Sequence, residues 1–335
     1  MKVALGISSF RNDAEVVGKL QTACSPEGRS LFERIIVVDS CGTGAVGREI
    51  ERLGLGQDRQ ESRITYHNHD TNLGAARNLA LRMKLAAETG ADYLFAINHD
   101  GDLDLAAVEK LIDYARRSQD SCPCCSHSEI QCRHDGQVAV VYPLRRLSNG
   151  SYSLSGLSPL PMPMMRVRRP PRVEAITVYW SSSNGALYWL EPFRRGIKPY
   201  EGLWHGWEDF AYGLALAQAG YRQVLLPAVR IDGRYEYRHQ SSMGNVWMIS
   251  DKPPWLTYYL ARNLVLALRR FRPFPLATVA GIGRILLEGG AILWLRQSKG
   301  ERLRYAAMGL LHGLLGQEGP TVMPAAPPVD AKVAS

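Results

Sequence analysis

The sequence predicts an α/β protein: a mostly parallel central sheet with helices on both faces, continued by a helical, basic C-terminal extension. Three observations carry this. Short apolar runs alternate with stretches of helical spacing, as buried parallel strands and their covering helices do. Each run ends in a polar, turn-rich loop, the side on which ligands bind in such sheets. The last quarter of the chain differs in charge from the rest. Across 335 residues, 46% hydrophobic and 21% charged content is that of a globular protein and excludes a disordered, collagen-like or coiled-coil chain.

The elements follow in order. Val3 to Ile7 is an apolar run ending at Ser8-Ser9-Phe10, and Asp13 to Ala23 has helical spacing. Arg34 to Asp39 is the clearest strand, with four β-branched residues before the acid and the turn Ser40-Cys41-Gly42-Thr43-Gly44 after it. Ile64 to His67 is a third short strand. Asn72-Leu73-Gly74 opens an amphipathic helix from Ala75 to Glu88. Tyr93 to Ile97 is apolar and ends in Asn98-His99-Asp100-Gly101-Asp102, with a helix from Leu105 to Arg117. Ser118 to Val173 is a long connection, Ser/Pro/Gly/Met/Arg-rich in its second half, with a strand at Val138 to Tyr142. A strand from Ile176 to Trp180 precedes Ser181-Ser182-Ser183-Asn184-Gly185-Ala186-Leu187. Trp204-His205-Gly206-Trp207-Glu208-Asp209 opens a helix reaching Ala219, and Tyr221 to Pro227 is again a strand. From Trp255 onward the chain is helical, basic and interrupted by Pro. The division expected is one domain over 1–250, with halves at about 1–117 and 173–250 and an insertion at 118–172, then an amphipathic extension over 251–319 and a disordered Pro/Ala-rich tail over 320–335.

Of the net charge of +8, the stretch from Asp251 to Ser335 supplies +6, from eleven Lys/Arg against five Asp/Glu. Such asymmetry suits a polyanionic partner. Arg mixed with Leu, Trp and Phe between Arg269 and Leu315 fits a helix lying on an anionic membrane surface, and equally a packed helical pair with a solvated Arg face. No motif for nucleic acid accompanies the charge. The N-terminus reads as no signal peptide, and Phe274 to Leu295 carries Arg284 and Glu288, which argues against a membrane span. A cytoplasmic protein, peripheral on the inner face of the membrane, with six reduced Cys is expected.

Two acidic groups carry the chemistry. Asp100 and Asp102, with Asn98, share a tight turn at a strand end; two such carboxylates repel unless a cation lies between them, and Mg²⁺ or Mn²⁺ takes one or two carboxylates plus substrate phosphates. The alternative is a helix cap from Asp102 or Asp104. Glu208-Asp209 begins a helix, where an acid pair also complements the dipole. Trp204 and Trp207 beside it raise a carboxylate's pKa and offer a stacking surface for a sugar ring. Cys122, Cys124, Cys125 and Cys132, with His127 and His134, place six possible Zn²⁺ ligands in thirteen positions, but Cys-x-Cys-Cys-x-His is not a standard finger spacing, and a reduced insertion is the alternative. Cys24 and Cys41 read as packing residues.

The order ISSFRND, IIVVDSCGTG, DTNLGAARN, YLFAINHDGDL, SSSNGALY, GWEDFAYGLALAQAGYR and Tyr258-Tyr259-Leu260-Ala261-Arg262-Asn263 resembles that of family 2 glycosyltransferases of the GT-A fold, closest in style to a bacterial rhamnosyltransferase-like subgroup of polysaccharide assembly. The resemblance spans about Lys2 to Arg270. It implies a Rossmann-like GT-A domain and a nucleotide-sugar donor carrying UDP, GDP or dTDP. Ser9, Phe10 and Arg11 would lie by the nucleotide, Asp39 would accept a hydrogen bond from the base, and Asn72, Gly74 and Arg77 would frame the pocket, with Asn98 beside the diphosphate. Asp100 matches the metal-binding Asp, in a register shared with Asp102, and His239 is the candidate for a late metal-side His. Asn184 and Gly185, with Trp204 and Trp207, would face a glycan or lipid-linked acceptor. Asp209 matches the catalytic base, with Glu208 orienting it. The position two residues after Asp209, often a further Asp in that family, is Ala211. The implied reaction is a single inverting displacement. A catalytically inactive binding module and a sugar nucleotidyltransferase are the alternatives; the second wants a Gly-rich basic loop near the N-terminus that Ser8-Ser9-Phe10-Arg11-Asn12 does not supply.

Overall fold

The computed structural model describes residues 1–40, 44–54, 63–120, 136–162, 165–232, 237–242, 245–250, 252–271 and 276–323. The first half is β1 (Val3–Ser9), α1 (Asp13–Ala23), α2 (Pro26–Leu31), β2 (Arg34–Asp39), α3 (Ala45–Arg52), β3 (Ile64–Asn68), α4 (Gly74–Glu88), β4 (Tyr93–Asn98) and α5 (Leu105–Asp120). Then come β5 (Val138–Arg146), β6 (Tyr152–Leu154), β7 (Met165–Val167), β8 (Ile176–Val178), β9 (Ala186–Trp189) and α6 (Glu191–Arg194). The chain closes with α7 (Glu208–Gln218), β10 (Arg222–Asp232), β11 (Tyr237–Ser242), β12 (Asn245–Ser250), α8 (Leu256–Phe271), α9 (Leu276–Leu295) and α10 (Lys299–Leu315).

The main sheet runs β3-β2-β1-β4-β9-β5-β10-β8, with β6 and β7 added on β5. β1 pairs in parallel with β2 and β4, and β2 with β3, so the continuous apolar runs of the sequence become strands buried on both faces. β9 enters antiparallel between β4 and β5, and β10 lies parallel to β5. One core layer holds Leu5, Ile7, Val37, Phe95 and Val108; the other holds Ile36, Val38, Leu79, Met83, Leu94 and Tyr188. Strand order reverses between β1 and β4, which places Ser8 and Asn98, register partners, at the switch point where such sheets open a crevice.

Several elements differ from the sequence reading. Ser25, whose hydroxyl accepts from the Gly28 N–H at 3.1 Å, caps the short α2, which leaves too few residues for a visible period. β5 and β10 run on to Arg146 and Asp232, past the apolar segments that flagged them, because backbone pairing continues after a register shift. The Ile176 strand stops at Val178, and Trp180 turns against Phe210 instead. At the start of the expected tail the Val322 carbonyl accepts from Tyr259 Oη at 2.8 Å and Thr321 Oγ1 from Arg262, so Thr321 and Val322 are tied to α8. The tail beyond Met323, the Cys/His cluster from Cys122 to His134, and Cys41 lie outside the described residues. Among the described residues no helix is long and apolar enough to cross a membrane.

Candidate active site

The loops at the ends of β1, β2 and β4 converge. Ser8 Oγ donates to Asn98 Oδ1 at 3.1 Å. Ser9 is buried, and its hydroxyl has no hydrogen-bond partner among the described residues. Asp39 is fully buried and accepts from Tyr66 Oη at 2.9 Å, so it forms the floor of this end of the sheet rather than an open face. Burial, then the Asp39 carboxylate, push the neighbouring Asp13 carboxyl up, while Arg48 pulls it down. Arg11 lies over the Phe10 ring at 5.1 Å and has φ +54°, a left-handed backbone at a non-glycine residue. Beneath them Arg82, fully buried on α4, donates to the Gly6 and Ile97 carbonyls at 2.9 and 3.1 Å. Its satisfied guanidinium ties β1 to β4 at the switch point, and burial brings its pKa down to about 10.

Asn72 Oδ1 accepts from the Gly74 N–H at 2.9 Å and so turns the chain into α4. Gly74 has φ +72°, and a Cβ there would lie 2.3 Å from the Trp204 carbonyl oxygen, so the position needs glycine twice over. Arg77 is exposed, 4.0 Å from Glu201.

The acidic tip is braced from across the sheet. Asn184 Oδ1 accepts from the Asn98 N–H at 3.0 Å, and its amide donates to Asp100 Oδ1 at 3.4 Å. A Cβ on Gly101 would lie 2.4 Å from Asn184 Oδ1, which is why the turn carries glycine. Asn184, expected on the acceptor side, is therefore a strut of the Asp100 turn. Gly185 has φ +85° and sits against Ile231, with no side chain to offer an acceptor. Asp104, not Asp102, caps α5: its Oδ1 accepts from the Ala106 and Ala107 N–H groups at 3.0 and 3.2 Å. Asp100 and Asp102 stay exposed. Among the described residues no three His, Cys, Asp or Glu converge on one point. Two exposed carboxylates on one turn nevertheless fit an ion that takes one or two protein oxygens and completes its shell with phosphates and water. His239 lies in β11 opposite Met248; its side chain is outside the described residues.

Glu208 and Asp209 start α7, and Asp209 lines a cavity of about 320 Å³ with Arg145, Trp180, Trp207, Lys252, Arg296 and Arg302. Glu208 Oε2 and Asp209 Oδ1 are each buried with no hydrogen-bond partner among the described residues. Burial first, then the Glu208 carboxylate beside it, push Asp209 up to about 7; Ser183, through side chain and backbone, and the Arg145 guanidinium pull the other way. Burial also pushes Glu208 up, and the Lys252 ammonium is among the groups opposing it. Burial, helped by Lys252, brings His205 down to about 4, so it is neutral at pH 7.

The turn ahead of this pair is strained and clamped. Trp204 and Trp207 both have positive φ, at +60° and +65°. Asn263, fully buried on α8, donates through Nδ2 to the Leu203, His205 and Gly206 carbonyls at 2.7, 2.7 and 3.0 Å. Arg262 adds a bond to Leu203 O at 3.0 Å and stands over the Tyr259 ring at 4.8 Å. The Tyr-Tyr-x-x-Arg-Asn run is thus the clamp that holds the turn ahead of Glu208-Asp209. Trp204 is 3% exposed, stacked into Tyr259 and Trp255, with its indole N–H on the Asn72 carbonyl at 3.0 Å. It links the two halves and presents no free face to a sugar, which corrects its reading as an acceptor platform. Trp207 does line the cavity, its N–H on the Leu260 carbonyl at 2.9 Å. Ala211 is buried with Leu203, Phe210 and Leu214, so a carboxylate there would sit in apolar packing. Arg145, Lys252, Arg296 and Arg302 belong to no local pattern that points to this cavity, while Ser183 falls in the Ser-Ser-Ser-Asn-Gly run.

Three solved structures share this architecture. The 1–349 segment of S. aureus TarS in complex with UDP-GlcNAc is 12% identical, over 93% of this chain and 81% of that one, with a TM-score of 0.54. Mannosyltransferase PcManGT from Pyrobaculum calidifontis, in complex with GDP-Man and Mn²⁺, is 12% identical over 95% and 88%, with a TM-score of 0.53. GalNAc-T7 with UDP, GalNAc and Mn²⁺ is 11% identical over 80% and 48%, also at 0.53. At such identities the likeness is one of fold, and that fold is GT-A with C-terminal helices. No family model matches the sequence, and no curated protein matches it.

Proposed function

We propose that this chain is an inverting glycosyltransferase that moves a sugar from a nucleotide-sugar donor to a hydroxyl of an acceptor. The observation that carries this is Asp209: a carboxylate with one oxygen unpartnered among the described residues, raised to about 7, lining an open cavity in a GT-A fold. A base near neutrality is best matched to taking a proton at cellular pH. The donor's nucleotide lies across the ends of β1, β2 and β4, by Ser8, Ser9, Arg11 and Asn98. Asp209 Oδ1 accepts a hydrogen bond from the acceptor hydroxyl. As that oxygen forms its bond to the anomeric carbon, the bond to the diphosphate oxygen breaks, the proton passes to Asp209, and the nucleoside diphosphate leaves with the electron pair. One displacement inverts the anomeric centre, and no second carboxylate acts as nucleophile. The Glu208 carboxyl beside Asp209 adds to the burial that raises its basicity. Asp100 and Asp102 would hold Mg²⁺ or Mn²⁺, which supplies charge neutralisation for the diphosphate when bound. Asn184 and Gly101 fix that turn in place. The fold neighbours named above with Mn²⁺ and with UDP- or GDP-linked sugars support this reading.

The test is a donor panel. Purified protein with Mn²⁺ or Mg²⁺ is incubated with UDP-, GDP- and dTDP-sugars, dTDP-rhamnose included, and nucleoside diphosphate release is followed with and without EDTA. Metal-dependent release from one donor, lost in Asp209→Asn and Asp100→Ala, is expected. Nucleotide binding with no release, even with crude lipid and glycan extract added, would instead leave a binding module. No binding to any donor would remove the assignment.

A further inference from the structure

A second cavity, of about 420 Å³, lies between α8, α9 and α10, walled by Leu264, Ile285, Ile292, Leu303, Ala306 and Leu310. It is almost wholly apolar, and it is not separate from the candidate active site. Trp207, Thr257, Leu260, Arg284 and Glu288 line both cavities, so the apolar groove opens into the space above Asp209. Where the two meet, the polar cavity carries five cations, Arg145, Lys252, Arg284, Arg296 and Arg302, against the carboxylates of Asp209 and Glu288. Glu288 pairs with Arg296 at 3.0 Å and Arg284 at 3.8 Å, and Arg302 is buried with a bond to the Lys252 carbonyl at 2.7 Å. The site therefore has an apolar end, a cationic waist and a base.

The wall formed by α9 has two faces. Gly281, Ile285, Glu288 and Ile292 turn inward, with Gly281 against Leu268. Val279, Ile282, Leu287 and Trp294 lie away from the groove and are exposed, Trp294 at 62%, while Leu286 and Leu293 line the groove at its exposed rim. A helix apolar toward solvent as well as toward its groove suits a position against hydrocarbon, lying on a bilayer rather than crossing it.

We infer that the acceptor is a membrane lipid phosphate, whose hydrocarbon chain lies in the groove between α8, α9 and α10 with its phosphate among Lys252, Arg296 and Arg302. The inference rests on the glycosyl-transfer reading for the identity of the acceptor, but the groove itself can be tested without it. An anion at the waist and a chain in the groove leave toward Asp209 a hydroxyl carried beyond the phosphate, as in a phosphodiester headgroup, and that hydroxyl oxygen is the one that takes the sugar. α9 is the side from which a lipid enters.

The experiment titrates wild-type full-length protein, below the critical micelle concentration, with a series of alkyl phosphates from hexyl to dodecyl, with inorganic phosphate and with dodecanol, by calorimetry. Affinity is expected to rise by up to about fourfold per methylene buried, and dodecyl phosphate should bind at least tenfold tighter than inorganic phosphate or dodecanol. Ala306→Trp, which fills the groove, should remove the chain-length dependence, and Arg296→Gln should weaken every phosphate while leaving dodecanol unchanged. Equal affinity across the series in wild type overturns the proposal without needing any variant. The same preparations are titrated with metal and nucleotide sugars. Nucleotide binding without lipid-phosphate binding ends the lipid groove and leaves the transferase; lipid-phosphate binding without nucleotide binding keeps the groove and ends the transferase.

Discussion

The two ends of the molecule solve burial in opposite ways. β1, β2 and β4 hide both faces under helices, and their polar residues lie at the strand ends, at Ser8, Ser9, Arg34, Asp39 and Asn98. α9 buries one face and leaves the other bare, with Leu287 and Trp294 toward solvent. The N-terminal end is a finished fold whose polar groups are confined to its edge. The C-terminal end is finished only if something apolar covers it. α8 belongs with the first kind, since Tyr258, Tyr259, Arg262 and Asn263 are all fully buried and hold the turn before Glu208. What reads as an extension is thus split: α8 is bonded to the turn that leads into Glu208 and Asp209, and α9 is a wall with two environments.

The sharpest cut through this comparison is chemical. Asp209→Asn should lower nucleotide release about 10²- to 10⁴-fold, the usual span for a positioned general base, while nucleotide-sugar affinity stays within about twofold. Wild-type turnover should rise with pH through about 7 as Asp209 loses its proton, and the variant's residual rate should be flat there. A variant that turns over like wild type would move the base elsewhere in the cavity.

A second cut asks whether α8 truly belongs to the site. Asn263→Ala strips one donor group from three buried carbonyls, at a cost of about 1–3 kcal/mol. It should lower the melting temperature by several degrees and slow turnover as well, because the Leu203–Gly206 turn carries Glu208 and Asp209. A stability loss with unchanged kcat would detach α8 from catalysis. Gly74→Ala, strained at φ +72° and pressed against the Trp204 carbonyl, should destabilise by a similar amount from the N-terminal side, about 1–3 kcal/mol.

Much of the sheet and its edge was legible because backbone ends and short-range chemistry coincide there. The strand runs, the Asn98–Asp102 tip and the Glu208-Asp209 helix start all follow from local pattern. Other features needed the fold. Arg145, Ser183, Lys252 and Arg302 meet Asp209 from four distant segments, and no spacing announces that. Asn184 sits in a recognisable Ser-Ser-Ser-Asn-Gly run, but only the antiparallel entry of β9 next to β4 puts it on the Asp100 turn. Trp204 looked like a platform because aromatic residues beside acids often are; its positive φ turns the ring inward to Tyr259. In α9, apolar residues all round erase the period that would separate an inner from an outer face.

A smaller effect comes from stability against pH. The folded carboxyl of Asp209 is raised to about 7 from an ordinary 3.8, so folding favours its protonated form. That contribution is fully present below about pH 4 and is lost as pH rises through about 7. Asn cannot ionise, so Asp209→Asn should melt a few degrees above wild type at pH 8, with the gap closing as pH falls toward 4. Thermal melts at four pH values decide it; a constant gap would mean that Asp209 is charged throughout and that its cavity is wetter than the packing shows.

The smallest expected effect tests the bare face. Val279 and Leu287 are exposed on α9, so Val279→Ser and Leu287→Ser remove little buried area and should each change stability in water by no more than about 0.5 kcal/mol. Leu264→Ala, on the inner wall from α8, should cost about 2–5 kcal/mol. The contrast matters because α9 is apolar on both sides, and only the packed side can contribute to folding in water. If Val279→Ser or Leu287→Ser destabilises as much as the inner-wall change, then the outward stripe is already covered by protein, by a second copy or by the chain's own remaining residues, and the two ends of the molecule bury their apolar surface in the same way after all.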